Sequence, residues 1–189
     1  LQESLGNRYP VTVSMAIAAA TDPATALSRA SERLQAAGSA QDGDRTGVFR
    51  GEPLATAPRD DDVEVAHFDI NDVTGRFTDR TGEFATLLAV QRCYTELMAY
   101  LYHTEDALTF FVGGDNFVAL CPSLSADAYE AAINHVAAET GVELKVGVDT
   151  GATALTAGMG AKHALERCRE EDSTVCYTPT PVARGQSDD

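Results

Sequence analysis

The chain has 189 residues and the composition of an ordinary globular protein, with 44% hydrophobic and 23% charged residues. This length allows one domain with a substantial core plus part of a second, and the composition excludes wholesale disorder and fibrous repeats. The 29 acidic and 14 basic residues give a net charge of −15, and only Lys145 and Lys162 are lysines. Such a charge excludes nucleic-acid binding through a general basic surface. A polyphosphate ligand would need a cation or a helix N-terminus to offset the repulsion.

The sequence shows no run of about 18 or more apolar residues, and its first residues lack the basic and then apolar order of a signal peptide. We therefore expect a cytoplasmic protein with no membrane partner. The four cysteines are scattered, without a Cys-x-x-Cys pair or zinc-ligand spacing. Reduced, buried thiols are predicted rather than a disulfide framework.

The first part of the chain predicts a strand, a helix and a long connection. Residues 11–18 are rich in apolar and β-branched side chains, which indicates a buried strand. A Thr-Asp-Pro sequence at 21–23 supplies a helix cap and an N-terminal proline, and the helix is predicted to end at Gly38. The segment 39–62 is rich in glycine, proline and aspartate and is expected to be a linker between domains.

A cycle of strands and helices follows this linker. Residues 63–70 alternate in the manner of a strand, and residues 71–80 form a polar turn region. One face of the long helix that comes next is formed by Phe84, Leu87, Leu88, Tyr94, Leu97, Met98 and Leu101. Apolar strands at 108–112 and 117–121 flank a Gly-Gly-Asp-Asn sequence, which predicts a hairpin turn.

The last elements are a helix from the cap Ser125 to about residue 140, a strand at 142–148 and a helix at 154–169. The complete order predicts an α+β fold of the ferredoxin-like, split βαβ type, with helices on one face of an antiparallel sheet. The N-terminal strand and helix match the last strand and helix of the cycle, and both helices open with Ala-Thr-Ala-Leu. We therefore expect a partial copy of the fold before a complete one, and a disordered tail from Thr178.

Two acidic clusters lie where the predicted topology brings strand ends together. Asp69 is near the end of the first strand of the cycle, and Asp115 lies in the hairpin turn. In a split βαβ sheet the first strand pairs with the strand that leaves this hairpin, so both carboxylates reach one end of the sheet. Paired carboxylates suit a hard cation such as Mg²⁺, which can neutralise a nucleotide triphosphate and activate water. The alternative is that Asp69 and the Asp115-Asn116 pair are ordinary turn residues.

Further polar residues surround these carboxylates. The loop of residues 71–79 offers backbone N–H groups for phosphates, but it lacks the Gly-x-x-x-x-Gly-Lys motif. Lys145 either neutralises phosphate or forms a surface ion pair. His67 lies on the same strand face as Asp69, and we interpret it as a core residue or a support for the site rather than as a ligand.

Taken in order, these segments resemble the archaeal GTP cyclohydrolase III family. The resemblance extends from residue 1 to about residue 170. It is carried by the sequences RYPVTVSM at 8–15, GSAQD at 38–42, AHFDIN at 66–71, TG at 74–75, FFVGGDN at 110–116 and ELKVGV at 143–148. The acidic, lysine-poor composition is similar to that of haloarchaeal members, because a carboxylate-rich surface helps a protein to stay soluble in concentrated salt.

The resemblance implies an enzyme and its reaction. It implies a Mg²⁺-dependent hydrolase that opens the imidazole ring of GTP and releases two phosphates, and it allows a monovalent cation as activator. The implied product is 2-amino-5-formylamino-6-(5-phospho-D-ribosylamino)pyrimidin-4(3H)-one. The implied fold is a pair of palm-like domains related to nucleotidyl cyclase and GGDEF domains, assembled into a homo-oligomer.

The resemblance also implies roles for individual residues. Asp69 and Asp115 are the implied catalytic residues and metal ligands, and the Ile70 carbonyl is a third metal ligand. The implied nucleotide site consists of Ile70, Asn71, Asp72, Thr74, Gly75, Gly113, Gly114, Asn116 and Lys145.

The resemblance finally implies a division of the chain. Residues 1–40 are expected to be the C-terminal remnant of a first palm-like domain, 41–62 a linker, 63–177 a complete second palm-like domain and 178–189 a disordered tail. Two alternatives to the hydrolase stay open, a nucleotide-binding palm domain without turnover and a nucleotidyl cyclase. The cyclase is disfavoured because GGDEF-type cyclases use an acid where Asn116 stands.

Overall fold

The residues described by this computed structural model are 2–9, 11–39, 41, 46–51, 62–71 and 82–178. Their helices are α1 Gln2–Arg8, α2 Pro23–Gln35, α3 Glu83–Glu105, α4 Ala126–Thr140 and α5 Ala154–Glu170. Their strands are β1 Met15–Ala16, β2 Phe49–Arg50, β3 Val63–Ile70, β4 Leu108–Gly113, β5 Asn116–Cys121, β6 Leu144–Gly151 and β7 Val175–Tyr177. Among these helices, none has the length and apolar character needed to cross a membrane.

Five of the strands form one sheet in the order β4-β5-β3-β6-β7. Strand β3 lies in the centre and is antiparallel to both β5 and β6, which confirms the predicted split βαβ arrangement. The sheet also contains β7, which pairs with β6 in parallel and was not predicted. Thr178 continues this pairing through its N–H, which donates to the Val148 carbonyl at 3.0 Å. The rest of the predicted tail, 179–189, lies outside the described residues.

Helices pack on both faces of this sheet. Ala66, Phe68 and Ile70 of β3 face the main core, which contains the buried side chains of α3 and α4. Val65, on the opposite face, packs against Ala157 and Ala161 of α5. The prediction that all helices lie on one face was therefore wrong for α5. The physical reason is that the second face of the sheet also carries apolar side chains, Val65 of β3 with Val118 and Leu120 of β5, which α5 covers.

Glu64 connects β3 to α4 through buried hydrogen bonds. Glu64 of β3 is buried in the main core, where it accepts hydrogen bonds from Tyr129 Oη of α4 at 2.7 Å and from the Leu124 N–H at 3.0 Å.

The four cysteines are free and buried, as the sequence predicted: Cys93, Cys121, Cys168 and Cys176.

The contact face of α3 differs in part from the prediction. Its buried residues are Val90, Cys93, Leu97 and Leu101. Of the apolar residues predicted to form this face, Leu97 and Leu101 are buried, but Phe84, Leu87 and Leu88 in the first two turns are exposed. The core contact begins only at Val90, so the first turns of α3 lie beyond the packed part of the sheet.

The N-terminal residues form a smaller unit of the same order as β6, α5 and β7. Strands β1 and β2 pair in parallel and α2 connects them along the chain. Asp22 caps α2 as predicted, since its Oδ1 accepts from the Thr25 N–H at 2.7 Å. Strand β1 is shorter than the predicted 11–18, and β2 lies inside the predicted linker. This strand-helix-strand order is in line with a partial copy, and the domain limits stay predictions.

Helix α5 lies very close to β6 at Gly147. A Cβ placed on this glycine would be 2.1 Å from the Leu165 nitrogen and 2.2 Å from the Ala161 carbonyl oxygen. No side chain fits such a gap between two backbones, so glycine is what allows the helix to lie directly on the strand. This close packing carries the last turn of α5 to the end of β3 that bears Asp69.

We expect Gly147→Ala to destabilise the protein by about 3 kcal/mol or more, because the helix backbone must move. The matched control is Gly158→Ala in α5, where the new Cβ would meet only Val65 Cγ1 at 4.0 Å. That change should stabilise the helix by roughly 0.5–1 kcal/mol. Urea unfolding at fixed high salt measures both, and a Gly147→Ala variant as stable as the parent would contradict the observed packing of α5.

Candidate functional site

The site is built where β3 ends beside the hairpin between β4 and β5. Asp69 of β3 lies directly opposite Asn116 of β5 in the antiparallel ladder. The Ile70 N–H donates to the Asp115 carbonyl at 3.3 Å, which ties the turn to the end of β3. The predicted convergence of these two segments at one end of the sheet is confirmed.

Two glycines shape the hairpin turn. Gly113 has a φ of 122° and Gly114 a φ of 64°, both in the left-handed region that favours glycine. Gly113 ends β4 and pairs with Asn116, the first residue of β5, so Gly114 and Asp115 form the turn between the strands. The Gly-Gly-Asp-Asn sequence thereby places one carboxylate and one amide side by side at the sheet end.

Asp69 is a buried acid with one paired and one unpaired oxygen. Asp69 is 6% exposed. Its Oδ2 lies 2.7 Å from a guanidinium nitrogen of Arg169 in the last turn of α5. Oδ1 is buried and has no hydrogen-bond partner within the described part of the chain. Burial raises the pKa of Asp69, Arg169 opposes this by stabilising the ionised form, and the charge of Asp115 raises the pKa further. The ionised form of Asp69 is therefore less favourable in the folded protein than in the unfolded chain.

Three side chains form a hydrogen-bonded series on the α5 side of the sheet. His67 Nε2 lies 3.0 Å from Asn116 Oδ1, and Asn116 Nδ2 donates to Asp115 Oδ1 at 2.8 Å. Burial lowers the pKa of His67, which favours the neutral ring. His67 was interpreted as a core residue or a support for the site, and these contacts connect it to the hairpin carboxylate.

Lys145 is the residue of β6 that lies opposite Asp69. Its ammonium bonds Asp172 Oδ1 at 2.8 Å and the Cys168 carbonyl at 3.4 Å, so it fastens the end of α5 to the sheet. The side chain of Lys145 is 10% exposed whereas that of Asp172 is 93% exposed. The predicted alternative of an ion pair describes this arrangement, and nucleotide binding by Lys145 stays a prediction.

The remaining predicted residues are placed only in part. Ile70 is buried, and Asn71 is held by its N–H, which donates to the Glu143 carbonyl at 2.8 Å. Asp72, Thr74 and Gly75 lie outside the described residues. Their roles, and those of the other nucleotide and metal residues, stay predictions.

A groove of about 330 Å³ adjoins the hairpin carboxylate. It lies between the first turns of α3 and the hairpin turn and is lined by Glu83, Thr86, Leu87, Val90, Gly114 and Asp115. Most of its exposed surface is apolar. The exposed first turns of α3 therefore form one wall of a groove that opens beside Asp115.

Arg169 belongs to this site but was not predicted from the sequence. A basic residue in the last turn of a helix is common because it stabilises the helix dipole, so Arg169 carried no distinctive pattern. Its contact depends on α5 covering the face of the sheet that bears Asp69, whereas all helices were predicted to lie together on one face.

The donor groups of the site indicate which metal ion it suits. Within the described ranges no group of three or more His, Cys, Asp or Glu side chains is arranged to hold a metal. Asp69 still offers a buried carboxylate oxygen that no described residue bonds, and a second carboxylate, Asp115, is near enough to affect its pKa. One or two carboxylates combined with substrate phosphates are the usual ligands of Mg²⁺. The residues therefore fit this ion better than a closed structural metal centre.

The fold defines a palm-type domain. Two solved structures similar to this chain are the GGDEF domain of DgcB from Caulobacter crescentus and the active GGEEF domain of a diguanylate cyclase from Vibrio cholerae. The first has a TM-score of 0.53 at 13% identity and covers 63% of this chain and 79% of its own. The second has a TM-score of 0.51 at 10% identity, with 63% and 84% covered. At this identity the likeness establishes the fold alone.

The sequence comparison is more specific. The family model of GTP cyclohydrolase III matches residues 1–184. The GTP cyclohydrolase III of Natronomonas pharaonis is 53% identical over 93% of this chain and 70% of its own length. That of Halorubrum lacusprofundi is 49% identical over 96% of this chain and 70% of its own. The chain belongs to the GTP cyclohydrolase III family, and its enzyme class is that of the GTP cyclohydrolases.

We expect Asp69→Asn to make the metal-free protein more stable at neutral pH. The pKa of Asp69 in the folded protein lies above its ordinary value of 3.8, so the folded state binds this proton more tightly than the unfolded chain. Ionisation of Asp69 therefore costs stability; the cost is absent below about pH 3.8, grows as the pH rises from there to the folded pKa, and is constant above it. Thermal unfolding across this pH range, with EDTA and fixed salt, measures the difference from the parent.

The control for this experiment is Asp172→Asn, for which the opposite sign is expected. Lys145 lowers the pKa of Asp172, so its ionised form stabilises the folded protein and the variant should be less stable at neutral pH. That difference should disappear in acid. An Asp69→Asn variant that is less stable than the parent at neutral pH would show that Arg169 outweighs the burial of Asp69.

Proposed function

We propose that the chain hydrolyses GTP in the presence of Mg²⁺. The imidazole ring is opened, the formyl group is retained in 2-amino-5-formylamino-6-(5-phospho-D-ribosylamino)pyrimidin-4(3H)-one, and two phosphates are released. The observation that carries the proposal is the buried Oδ1 of Asp69, which has no partner among the described residues and lies beside Asp115, in a chain of the GTP cyclohydrolase III family. Mg²⁺, when bound, supplies positive charge against the phosphates and activates water for hydrolysis.

The carboxylates, Arg169 and the glycine turn have different roles in this proposal. Asp69 and Asp115 hold the cation, together with the Ile70 carbonyl. The cation is needed because the chain carries a net charge of −15 and would otherwise repel a triphosphate. Arg169, whose side chain is 51% exposed, provides a further positive group within reach of the same carboxylate. The backbone of the Gly113-Gly114 turn leaves room for a phosphate to approach, since glycines carry no side chain there.

The groove beside Asp115 suits the base of the nucleotide. A guanine ring is flat and largely apolar on its faces, and Leu87 and Val90 offer apolar walls. Thr86 and Glu83 at the groove provide polar atoms for the ring edges. Asp115 lines the same groove, so a base bound there would lie next to one of the carboxylates proposed to hold the cation.

Two alternatives differ from hydrolysis in what they produce. In the first, the chain binds GTP and Mg²⁺ without turnover, so the ligand raises the melting temperature but no phosphate appears. In the second, it is a nucleotidyl cyclase and forms a cyclic nucleotide. The amide of Asn116, which is engaged with His67 and Asp115, disfavours this second alternative.

The direct test is incubation of the chain with GTP and Mg²⁺ in concentrated KCl. We expect the absorbance of the formylaminopyrimidine and two phosphates per GTP, and loss of both when EDTA removes the cation. Asp115→Ala should lower turnover at least about 100-fold, because an opposing charge for the cation is lost. Asp127→Ala, which removes an exposed carboxylate in the first turn of α4, is the matched control and should be as active as the parent.

The products decide between the three hypotheses. Ring-opened product with phosphate supports hydrolysis, stabilisation by GTP without phosphate supports binding alone, and a cyclic product supports a cyclase. Full activity in Asp115→Ala would refute the assignment of the cation to this carboxylate.

Homo-oligomer formation is a further part of the proposal. Edge strand β4 exposes Phe110, Phe111 and Val112, and its sequence contains no charged residue to discourage pairing with another strand. We expect light scattering in concentrated KCl to give a mass above 20 kDa, with Val112→Lys shifting it toward the monomer. A monomeric parent would contradict this. Activation by a monovalent cation and a cytoplasmic location stay predictions from the sequence.

A further inference from the structure

We propose that His67 is a positioning residue that fixes the hairpin carboxylate Asp115 by holding the amide of Asn116. The inference rests on the proposed function only where it assigns Asp115 to a cation. The hydrogen-bonded series itself, from β3 through β5 to the turn, is a feature of the folded chain without any ligand.

The direction of each hydrogen bond follows from the chemistry of the groups. A carboxylate can only accept, so the side of the Asn116 amide that faces Asp115 at 2.8 Å must be the nitrogen. The amide oxygen then faces His67 Nε2 at 3.0 Å and can only accept, so His67 must donate from Nε2. The geometry thus requires a proton on Nε2 of the His67 ring.

The hairpin turn needs such a constraint. Asp115 follows two glycines, whose backbone freedom gives the turn little rigidity of its own. The amide of Asn116 would otherwise rotate, and its oxygen facing Asp115 would repel the carboxylate. Partners that orient metal ligands typically change metal affinity 10–100-fold when removed. We expect an effect of this size at His67.

The first experiment examines the parent protein without metal or nucleotide. Long-range proton–nitrogen NMR correlations of the imidazole identify which ring nitrogen carries the proton. A proton is expected on Nε2 of His67, and a ring that carries its proton on Nδ1 alone would overturn the proposal because Nε2 would then be an acceptor. This measurement does not depend on activity, so it stands whether or not the proposed hydrolysis is correct.

The second experiment compares His67→Gln with His67→Leu, because glutamine retains an N–H donor and leucine does not. Mn²⁺ binding, followed by electron paramagnetic resonance, should weaken about 10–100-fold in the leucine variant and be largely restored by glutamine. In GTP turnover, the leucine variant should require more Mg²⁺ for half-maximal rate while its rate at saturating Mg²⁺ changes little. His163→Leu, on the exposed side of α5, is the control and should bind Mn²⁺ like the parent.

The outcomes separate the two proposals. Equal Mn²⁺ affinity in the leucine variant and the parent, or equal loss in both His67 variants, would overturn the positioning role. A parent protein that binds no Mn²⁺ contradicts the proposed function instead, and the tautomer of His67 still tests the hydrogen-bonded series. If His67→Leu does not fold, the tautomer and the Mn²⁺ affinity of the glutamine variant decide whether the positioning role holds.

Discussion

The pairing of β3 with β5 is the constraint on which the candidate site depends. The antiparallel register sets Asp69 opposite Asn116, and the bond from the Ile70 N–H to the Asp115 carbonyl closes the same end of the sheet. A shift of one residue would turn Asp69 into the core shared with α3 and α4, because side chains alternate between faces. The apolar residues of β3 on that core face, with Phe68 fully buried, make such a shift costly. Core packing therefore fixes where the carboxylate points.

Helix α5 covers the face of the sheet that bears Asp69, and Gly147 permits its close approach to β6. The close approach at Gly147 brings Arg169 to Asp69, while the Cys168 carbonyl and Asp172 take up the ammonium of Lys145. Arg169 and Lys145 thus act differently: Arg169 offsets a buried carboxylate and Lys145 anchors the helix. Asp69 nevertheless retains a buried oxygen without a partner in the described structure. A fold that leaves a buried charge partly unsatisfied gives up stability at that point, as functional sites commonly do.

Local patterns in the sequence were sufficient for most elements of the fold. The caps at Asp22 and Ser125 and the turn at Gly113-Gly114 involve residues close together in sequence, and the structure confirms them. The short strands β2 and β7 were missed because two or three residues carry no periodicity and their pairing is with distant segments. The convergence of Asp69 and Asp115 followed from topology, whereas Arg169 could not, because its contact depends on which face α5 covers.

Asn116 shows why an amide at this position changes the character of the site. It lies directly opposite Asp69, so an acid in its place would put two carboxylates face to face on adjacent strands, where like charges destabilise each other. The amide removes that repulsion and adds a donor, which Asp115 uses, and an acceptor, which His67 uses. A carboxylate has no donor to give Asp115 and would draw a proton onto His67. The second carboxylate of the site is therefore the turn residue Asp115, and its position depends on side-chain hydrogen bonds rather than on the strand alone.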